Sequence, residues 1–318
     1  MAEDAGFDVL GTGDSQSLWA DPFVTMTVAA MHTRRPRVGV SVSNPVTRHP
    51  AVAASAMVAI QQLAGGRAYY GIGSGDSAVF NIGERPAKLA EVEEYGRAVK
   101  GLCAGETVQY RGKELVLRWL TEDAKPVPLW MAPEGPRTQR LAGQIADAVI
   151  LSCALTRERF ERSLANVRAG AEAAGRSMDE IEIWCRVDFY LAETEQAGLE
   201  GVRFALAGAA HRQYQFSMEG KGVPEELAPK LRELVRRYDS SHHASPLTAH
   251  ANAALVEELG LVDWMAAQSA IVGPPERLVE RIHEVAEAGV RNLMVAQWVP
   301  DPFAFMRTFA EQVMPAFR

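Results

Sequence analysis

Four short segments of this chain hold residue types that can do chemistry, each at the end of a β-type run. Asp14 follows Gly11-Thr12-Gly13. A carboxyl group in an enclosed site can carry a raised pKa and handle protons, whereas in an open loop it is a solvated or helix-capping residue. The second segment is Val40-Ser41-Val42-Ser43-Asn44-Pro45, continued by Thr47-Arg48-His49. Small side chains and backbone there can press against a flat ring, with Arg48 and His49 supporting the site. The alternative is a strand-to-helix loop capped by Ser, Asn and Thr, with Arg48 and His49 bonded to backbone. The third segment, Gly71-Ile72-Gly73-Ser74-Gly75-Asp76-Ser77, allows close backbone approach and exposes N–H groups to anions. It does not open a helix in GxGxxG spacing and has no P-loop lysine, so a dinucleotide cradle is not supported. The fourth is Ala132-Pro133-Glu134-Gly135-Pro136-Arg137-Thr138. A glycine ahead of a helix N-terminus is a ready phosphate site, and the alternative is a plain βα turn capped by Glu134 and Thr138.

A fifth group is formed by His211, His242, His243 and His250, between Arg203 and Trp264. No carboxylate or cysteine completes a recognised metal spacing with them, so no metal is expected. His243 is the candidate catalytic histidine of this group, as a substrate contact, against the reading of a surface residue. No GxSxG elbow is present to support serine hydrolysis.

The elements that must position these residues alternate. β-type runs fall at Val9–Thr12, Arg37–Val42, Ala68–Ile72, Leu129–Met131, Ala148–Ser152, Ile181–Leu191 and Asn292–Ala296. Helical patterns fall at Pro22–His32, Pro50–Leu63, Lys88–Cys103, Pro136–Ile145, Arg157–Ala174 and Pro275–Ala288. Asp21-Pro22, His49-Pro50 and Gly273-Pro274-Pro275-Glu276 put proline where a helix starts. Alternating βα units predict a mainly parallel sheet covered by helices. Val108–Tyr110 and Leu115–Trp119 read as an antiparallel hairpin around Arg111-Gly112-Lys113. No repeat or low-complexity linker interrupts the chain, so residues 1–318 are expected to form one domain, with an insertion at about 203–264 covering the site. A closed (β/α)8 barrel needs one more strand than the seven read here; the opening MAEDAGFD resembles a helix end leading into a strand, so a first strand is expected to be lacking.

Composition narrows the partners. The chain has 318 residues, net charge −7 and sequence pI near 5.6, with 47% hydrophobic and 23% charged residues. That is an ordinary globular balance and argues against nucleic acid as partner. No apolar run is long enough to span a membrane, and the N-terminus has no signal-peptide pattern. Cys103, Cys153 and Cys185 are far apart and odd in number, which suits packing in a reducing cytoplasm.

Taken together, GFDVLGTGDS, SVSNPVTRHPAV, LAGGRAYYGIGSGDSAV, EGPRTQRLAGQIADAVI and IVGPPERLVERIHEVAEAGVRNLMVA span nearly the whole chain. In this order they resemble the luciferase-like flavin or F420-dependent oxidoreductases, in particular the methylenetetrahydromethanopterin-reductase-like branch. The resemblance implies a (β/α)8 TIM barrel with FMN or coenzyme F420 at the C-terminal strand ends. It implies a non-proline cis bond at Ser41–Val42 behind the ring, with Asn44, Arg48 and His49 near the ring or supporting it. Gly73, Ser74, Gly75 and Ser77 would line the ring and its side chain, and Glu134, Gly135, Pro136 and Arg137 the phosphate. Asp14 and Asp76 would face the reacting end. Many deazaflavin-dependent relatives carry Asp-His where Asp14-Ser15 stands here, so a histidine proton donor has no counterpart. The expected activity is oxygen-dependent monooxygenation of a small organic substrate with reduced FMN, the alternatives being F420-dependent hydride transfer and a non-catalytic relative. The implied partners are a small-molecule substrate, a second copy in a homodimer and, for a monooxygenase, a separate flavin reductase.

Overall fold

The structure is a computed structural model that describes residues 1–318 apart from 122, 241–249, 298, 300 and 318. By internal contacts the chain divides into two compact units. The first holds Met1–Ala132, Leu141–Val149 and Gly170–Glu182; the second holds Pro133–Arg140, Ile150–Ala169 and Ile183–Arg318.

The first unit is a succession of βα steps. A short α1 (Ala2–Ala5) leads into β1 (Val9–Thr12), α2 (Pro22–His32), β2 (Arg37–Ser43), α3 (Pro50–Leu63) and β3 (Ala68–Ile72). There follow α4 (Ser77–Phe80), α5 (Leu89–Cys103), the hairpin β4 (Val108–Tyr110) and β5 (Lys113–Leu115), then β6 (Leu129–Met131). Next come α6 (Pro136–Ile145), whose first residues belong to the second unit, and β7 (Ala148–Leu151), whose last two residues do. The parallel strands run in the order β1-β2-β3-β6-β7. Every residue of β3 and β6 is buried, the mark of parallel strands covered on both faces. The helices start where the prolines predict. Asp21 caps α2 by accepting the Phe23 and Val24 N–H groups at 2.9 and 3.2 Å. His49 Nδ1 caps α3 by accepting the Ala51 N–H at 3.3 Å.

In the second unit lie α7 (Arg157–Ala173, all but its last residues), β8 (Glu182–Leu191), α8 (Glu195–Tyr214), α9 (Ala228–Arg237), α10 (His250–Glu258) and α11 (Val262–Ser269). They are followed by β9 (Ala270–Gly273), α12 (Pro275–Glu287), β10 (Asn292–Gln297) and α13 (Pro302–Thr308). β8 pairs in parallel with β10 along Trp184–Phe189 and with β9 along Asp188–Leu191. Leu206, Leu231, Leu234, Leu255, Val256, Leu261 and Met265 join α8 to α11 in one apolar core. No helix among the described residues is long and apolar enough to cross a membrane.

Three expectations are corrected. The hairpin's second strand is Lys113–Leu115, not Leu115–Trp119, because Arg111 and Gly112 both adopt positive φ (49° and 69°) in a two-residue turn. β9 was not expected; Ala-Ile-Val-Gly is four residues long and abuts α11 without a turn signal. The boundary placed at Arg203 falls inside α8, which starts at Glu195. The seven expected strands are all present, and their parallel βα succession is that of the (β/α)8 class.

Candidate active site

In the first unit the ends of β1, β2 and β3 converge. The Ser41–Val42 peptide is cis, and the β2–β3 pairing shifts register between Val40 and Ser43. Ser41 Oγ is 2.6 Å from the Tyr69 hydroxyl, and Tyr69 stacks on Trp130 at 4.2 Å between centroids. Beyond the cis bond, Ser43 Oγ donates to Asp14 Oδ2 at 2.5 Å. Arg48 donates to both Asp14 oxygens, from Nε at 2.8 Å and from Nη2 at 3.3 Å, and from Nη2 to Asp21 at 2.6 Å. Its guanidinium lies 4.3 Å from the centroid of the Phe23 ring. Burial works against the Arg48 charge, but the bonds to Asp14 and Asp21 outweigh it and raise its pKa. Asn44 Oδ1 accepts the Val46 and Thr47 N–H groups at 2.9 and 3.0 Å, so the buried amide locks the β2–α3 loop. His49 is exposed, sits edge-on to Tyr110 and caps α3, the backbone-bonding reading of this segment.

The glycine segment shows why glycine is needed there. A Cβ on Gly71 would stand 2.5 Å from Val40 O and 2.8 Å from Val42 Cγ1. On Gly73 it would be 3.3 Å from Val42 Cγ2, a tight contact with a side chain, so the face beside Val42 is closed to a Cβ by backbone at Gly71 and crowded by Val42 at Gly73. The Gly73 N–H donates to Ser43 O at 2.9 Å, Ser74 O accepts from Ala87 N at 2.8 Å, and Gly75 adopts φ 103°. Ser77 Oγ lies 2.9 Å from Ser15 Oγ, which ties the third segment to the first. Asp76 is the N-cap residue of α4 and accepts the Val79 and Phe80 N–H groups on its backbone oxygen at 2.9 and 3.0 Å, with no cap bond from its side chain. Beneath these ends, burial pushes the Tyr69 and Tyr70 hydroxyls up to about 12.

In the second unit the turn before α6 is closed on itself: Thr138 Oγ1 accepts the Gly135 N–H at 3.1 Å and donates to Gly135 O at 2.9 Å. Glu134 pairs with Arg212 at 3.6 Å, Pro136 opens the helix, and Arg137 is exposed. Lys221 reaches the turn, and a Cβ on Gly135 would meet its Cε at 3.2 Å. Lys221 and Arg159, both buried, were not expected from the sequence. Neither was the Arg186–Asp188 pair (2.7 Å), on one face of β8 with Asp188 fully buried. The only signal for that pair was an Arg-x-Asp inside an apolar run. His211 is buried and stacks on Tyr238 at 4.2 Å. His242 and His243 lie outside the described residues. All three cysteines are buried, and burial raises Cys103 and Cys185 to about 12 and Cys153 to about 11.

The sequence pattern of a family described as luciferase-like monooxygenase matches residues 1–292. A 5,10-methylenetetrahydromethanopterin reductase from Methanopyrus kandleri is 27% identical over 100% of this chain and 93% of its own length. An F420-dependent glucose-6-phosphate dehydrogenase from Beutenbergia cavernae is 28% identical, covering 100% and 91%. The solved structure of the coenzyme F420-dependent tetrahydromethanopterin reductase from Methanopyrus kandleri superposes with TM-score 0.76 at 26% identity, covering 100% of this chain and 93% of that one.

Proposed function

The chain belongs to the luciferase-like monooxygenase family of oxidoreductases, and on that premise we propose that it is an F420-dependent hydride-transfer enzyme acting on a small organic substrate. The observation that carries this reading is the end-to-end likeness to enzymes named as methylenetetrahydromethanopterin reductase and as F420-dependent dehydrogenase. It reverses the order of the two chemistries expected from the sequence, where FMN with oxygen came first. FMN-dependent monooxygenation is kept as the second reading, favoured by the family's own description.

The residues present fit a ring and a phosphate. Gly73 presents bare backbone next to Val42, where a Cβ would crowd Val42 Cγ2 at 3.3 Å, as a flat ring packed against backbone requires, and the turn before α6 has the buried Lys221 beside it to balance a negative group. When bound, the deazaflavin supplies the hydride chemistry and the protein supplies position and charge. Ser41, Val42 and the Gly73–Ser77 segment form the ring wall, with Asn44 holding the loop behind it. Arg48, fixed between Asp14 and Asp21, stiffens the ends of β1 and β2. Both oxygens of Asp14 are engaged, so its proposed part is to anchor Arg48 and Ser43, and its expected proton-handling role passes to Asp76 and His243. Glu134, Gly135, Pro136 and Arg137 form the phosphate turn; His49 supports the site through α3.

We further propose a homodimer. Val24, Val28 and Met31 repeat at helical spacing along α2 and are 65%, 53% and 66% exposed, an apolar stripe suited to a second copy. The three buried thiols fit a reducing cytoplasm, and no nucleic acid, membrane or metal is part of the proposal.

The test is the protein purified without added cofactor. An absorbance band at about 420 nm and reduction of F420 or its substrate without oxygen support the reading. Tight FMN binding with substrate-dependent oxygen uptake overturns it in favour of the second. Failure to bind either cofactor leaves the non-catalytic alternative.

A further inference from the structure

A row of three residues crosses the sheet of the first unit. Gly11 of β1 pairs with Gly39 of β2, and Gly39 pairs with Tyr69 of β3. The Tyr69 ring is laid over both glycines. A Cβ on Gly39 would stand 2.7 Å from ring atoms Cγ and Cδ1. One on Gly11 would stand 2.4 Å from the Tyr69 hydroxyl and 2.6 Å from Ser41 Oγ. Glycine weakens a strand interior and marks a place where another group comes close. Here that group is the phenol, which takes the space of two side chains. Tyr69 is fully buried and stacks on the buried Trp130 at 4.2 Å, and the Arg37 guanidinium lies 5.0 Å from the Trp130 ring centroid. The ring therefore has one seat and its hydroxyl one position. Phenylalanine would fill that seat equally well; what tyrosine adds is a proton at the far end. Burial pushes the Tyr69 pKa up to about 12, so the proton is held throughout the neutral range.

Two acceptors are within its reach, Ser41 Oγ at 2.6 Å and Leu10 O at 3.4 Å. The first distance is that of a good O–H···O bond and the second lies beyond the usual range, so the phenol donates to Ser41. Ser41 then accepts on one lone pair and keeps its own proton. Among the described residues no other group bonds to Ser41 Oγ, and Ser41 is only half-buried. We propose that Tyr69 is a positioning residue of the ring wall, holding the Ser41 hydroxyl as a hydrogen-bond donor to an acceptor atom on the cofactor's ring. The inference rests on the cofactor reading above and holds for F420 and FMN alike, since both rings carry carbonyl oxygens.

The test is titration of F420 and of FMN into the wild type, Tyr69→Phe, Ser41→Ala and the double variant. Cofactor fluorescence gives Kd, and the absorption band is read at saturation. For the cofactor that the wild type binds, each single variant raises Kd about five- to tenfold, the worth of one hydrogen bond, and moves the bound band from its wild-type position. The double variant binds no more weakly than Ser41→Ala, because Tyr69 acts through Ser41. Without cofactor, Tyr69→Phe lowers Tm by only about 2–4 °C, since the ring and its stack are kept. Gly11→Ala, which crowds both hydroxyls, reproduces the affinity loss and the band shift should the phenylalanine variant not fold. Tyr69→Phe binding as tightly as the wild type, or additive losses in the double variant, overturns the positioning role and leaves the cofactor reading standing. A wild type that binds neither cofactor overturns both.

Discussion

Replacing Asp14 by asparagine tests the arrangement at the ends of β1 and β2 most directly. The side chain is 6% exposed and receives Ser43 Oγ at 2.5 Å and Arg48 Nε at 2.8 Å. Removing one partner of a fully buried ion pair costs about 3–5 kcal/mol. Here Arg48 is 24% exposed and keeps Asp21 at 2.6 Å, so most of its charge remains compensated. The Ser43 hydroxyl keeps an acceptor in the asparagine carbonyl, although a charge-assisted bond becomes a neutral one of about half the strength. The expected loss is therefore about 2 kcal/mol, below the fully buried limit. Urea unfolding measures it as a lower midpoint at unchanged slope. Arg48→Met in the same assay closes a double-mutant cycle, with an expected coupling between the two sites of about 1–2 kcal/mol. A D14N loss under about 0.5 kcal/mol, or strict additivity of the two substitutions, would refute the claim that Asp14 is an anchor. The same variant should weaken cofactor binding without changing the pH dependence of turnover; a shifted pH profile would return the proton-handling role to Asp14.

The other predictions address separate links. Gly71→Ala places a Cβ against backbone at 2.5 Å and should destabilise the fold by about 1–3 kcal/mol, whereas Gly73→Ala meets only the Val42 side chain at 3.3 Å and should cost less stability while weakening cofactor binding; urea unfolding and cofactor titration check the pair. Tyr69 and Tyr70 have hydroxyls raised by burial from 10.0 to about 12, so their contribution is fully present below pH 10 and is lost as pH rises from 10 to 12. Alkaline unfolding followed at the phenolate absorbance should show these groups ionising only as the fold is lost; their titration in the intact fold near pH 10 would contradict it. Val28→Glu on the exposed stripe of α2 should turn a dimer into a folded monomer, measured by light scattering; an unchanged mass would remove that face from the interface.

Much of the architecture was legible because the sequence punctuates it with proline and glycine. Pro22, Pro50 and Pro275 stand at or near the starts of their helices, and the strands before them end in small polar residues. The cis bond at Ser41–Val42 was legible only through resemblance, since nothing in Ser-Val-Ser distinguishes it locally. β9 was missed because its four residues carry no alternation, and the hairpin's second strand was misplaced because turn geometry, not apolarity, sets its register. Arg159 and Lys221 were missed for a tertiary reason. Arg157-Glu158-Arg159 reads as a solvated helix face and Gly220-Lys221-Gly222 as an open loop, yet packing within the second unit buries both cations. Asn44 and His49, singled out for a ring, also have local duties in a loop and a cap, which the sequence left open as the alternative.

The burial of every cysteine bears on how this enzyme withstands oxidants. With thiol pKa values of about 11 to 12, Cys103, Cys153 and Cys185 hold almost no thiolate at neutral pH, so peroxide and electrophiles find little to attack. Oxidative wear then falls on thioethers instead, first on Met31, which is 66% exposed on α2. A sulfoxide there turns an exposed apolar side chain polar, so in the proposed homodimer ageing of the protein would register as loss of subunit pairing before it reached the proposed cofactor site.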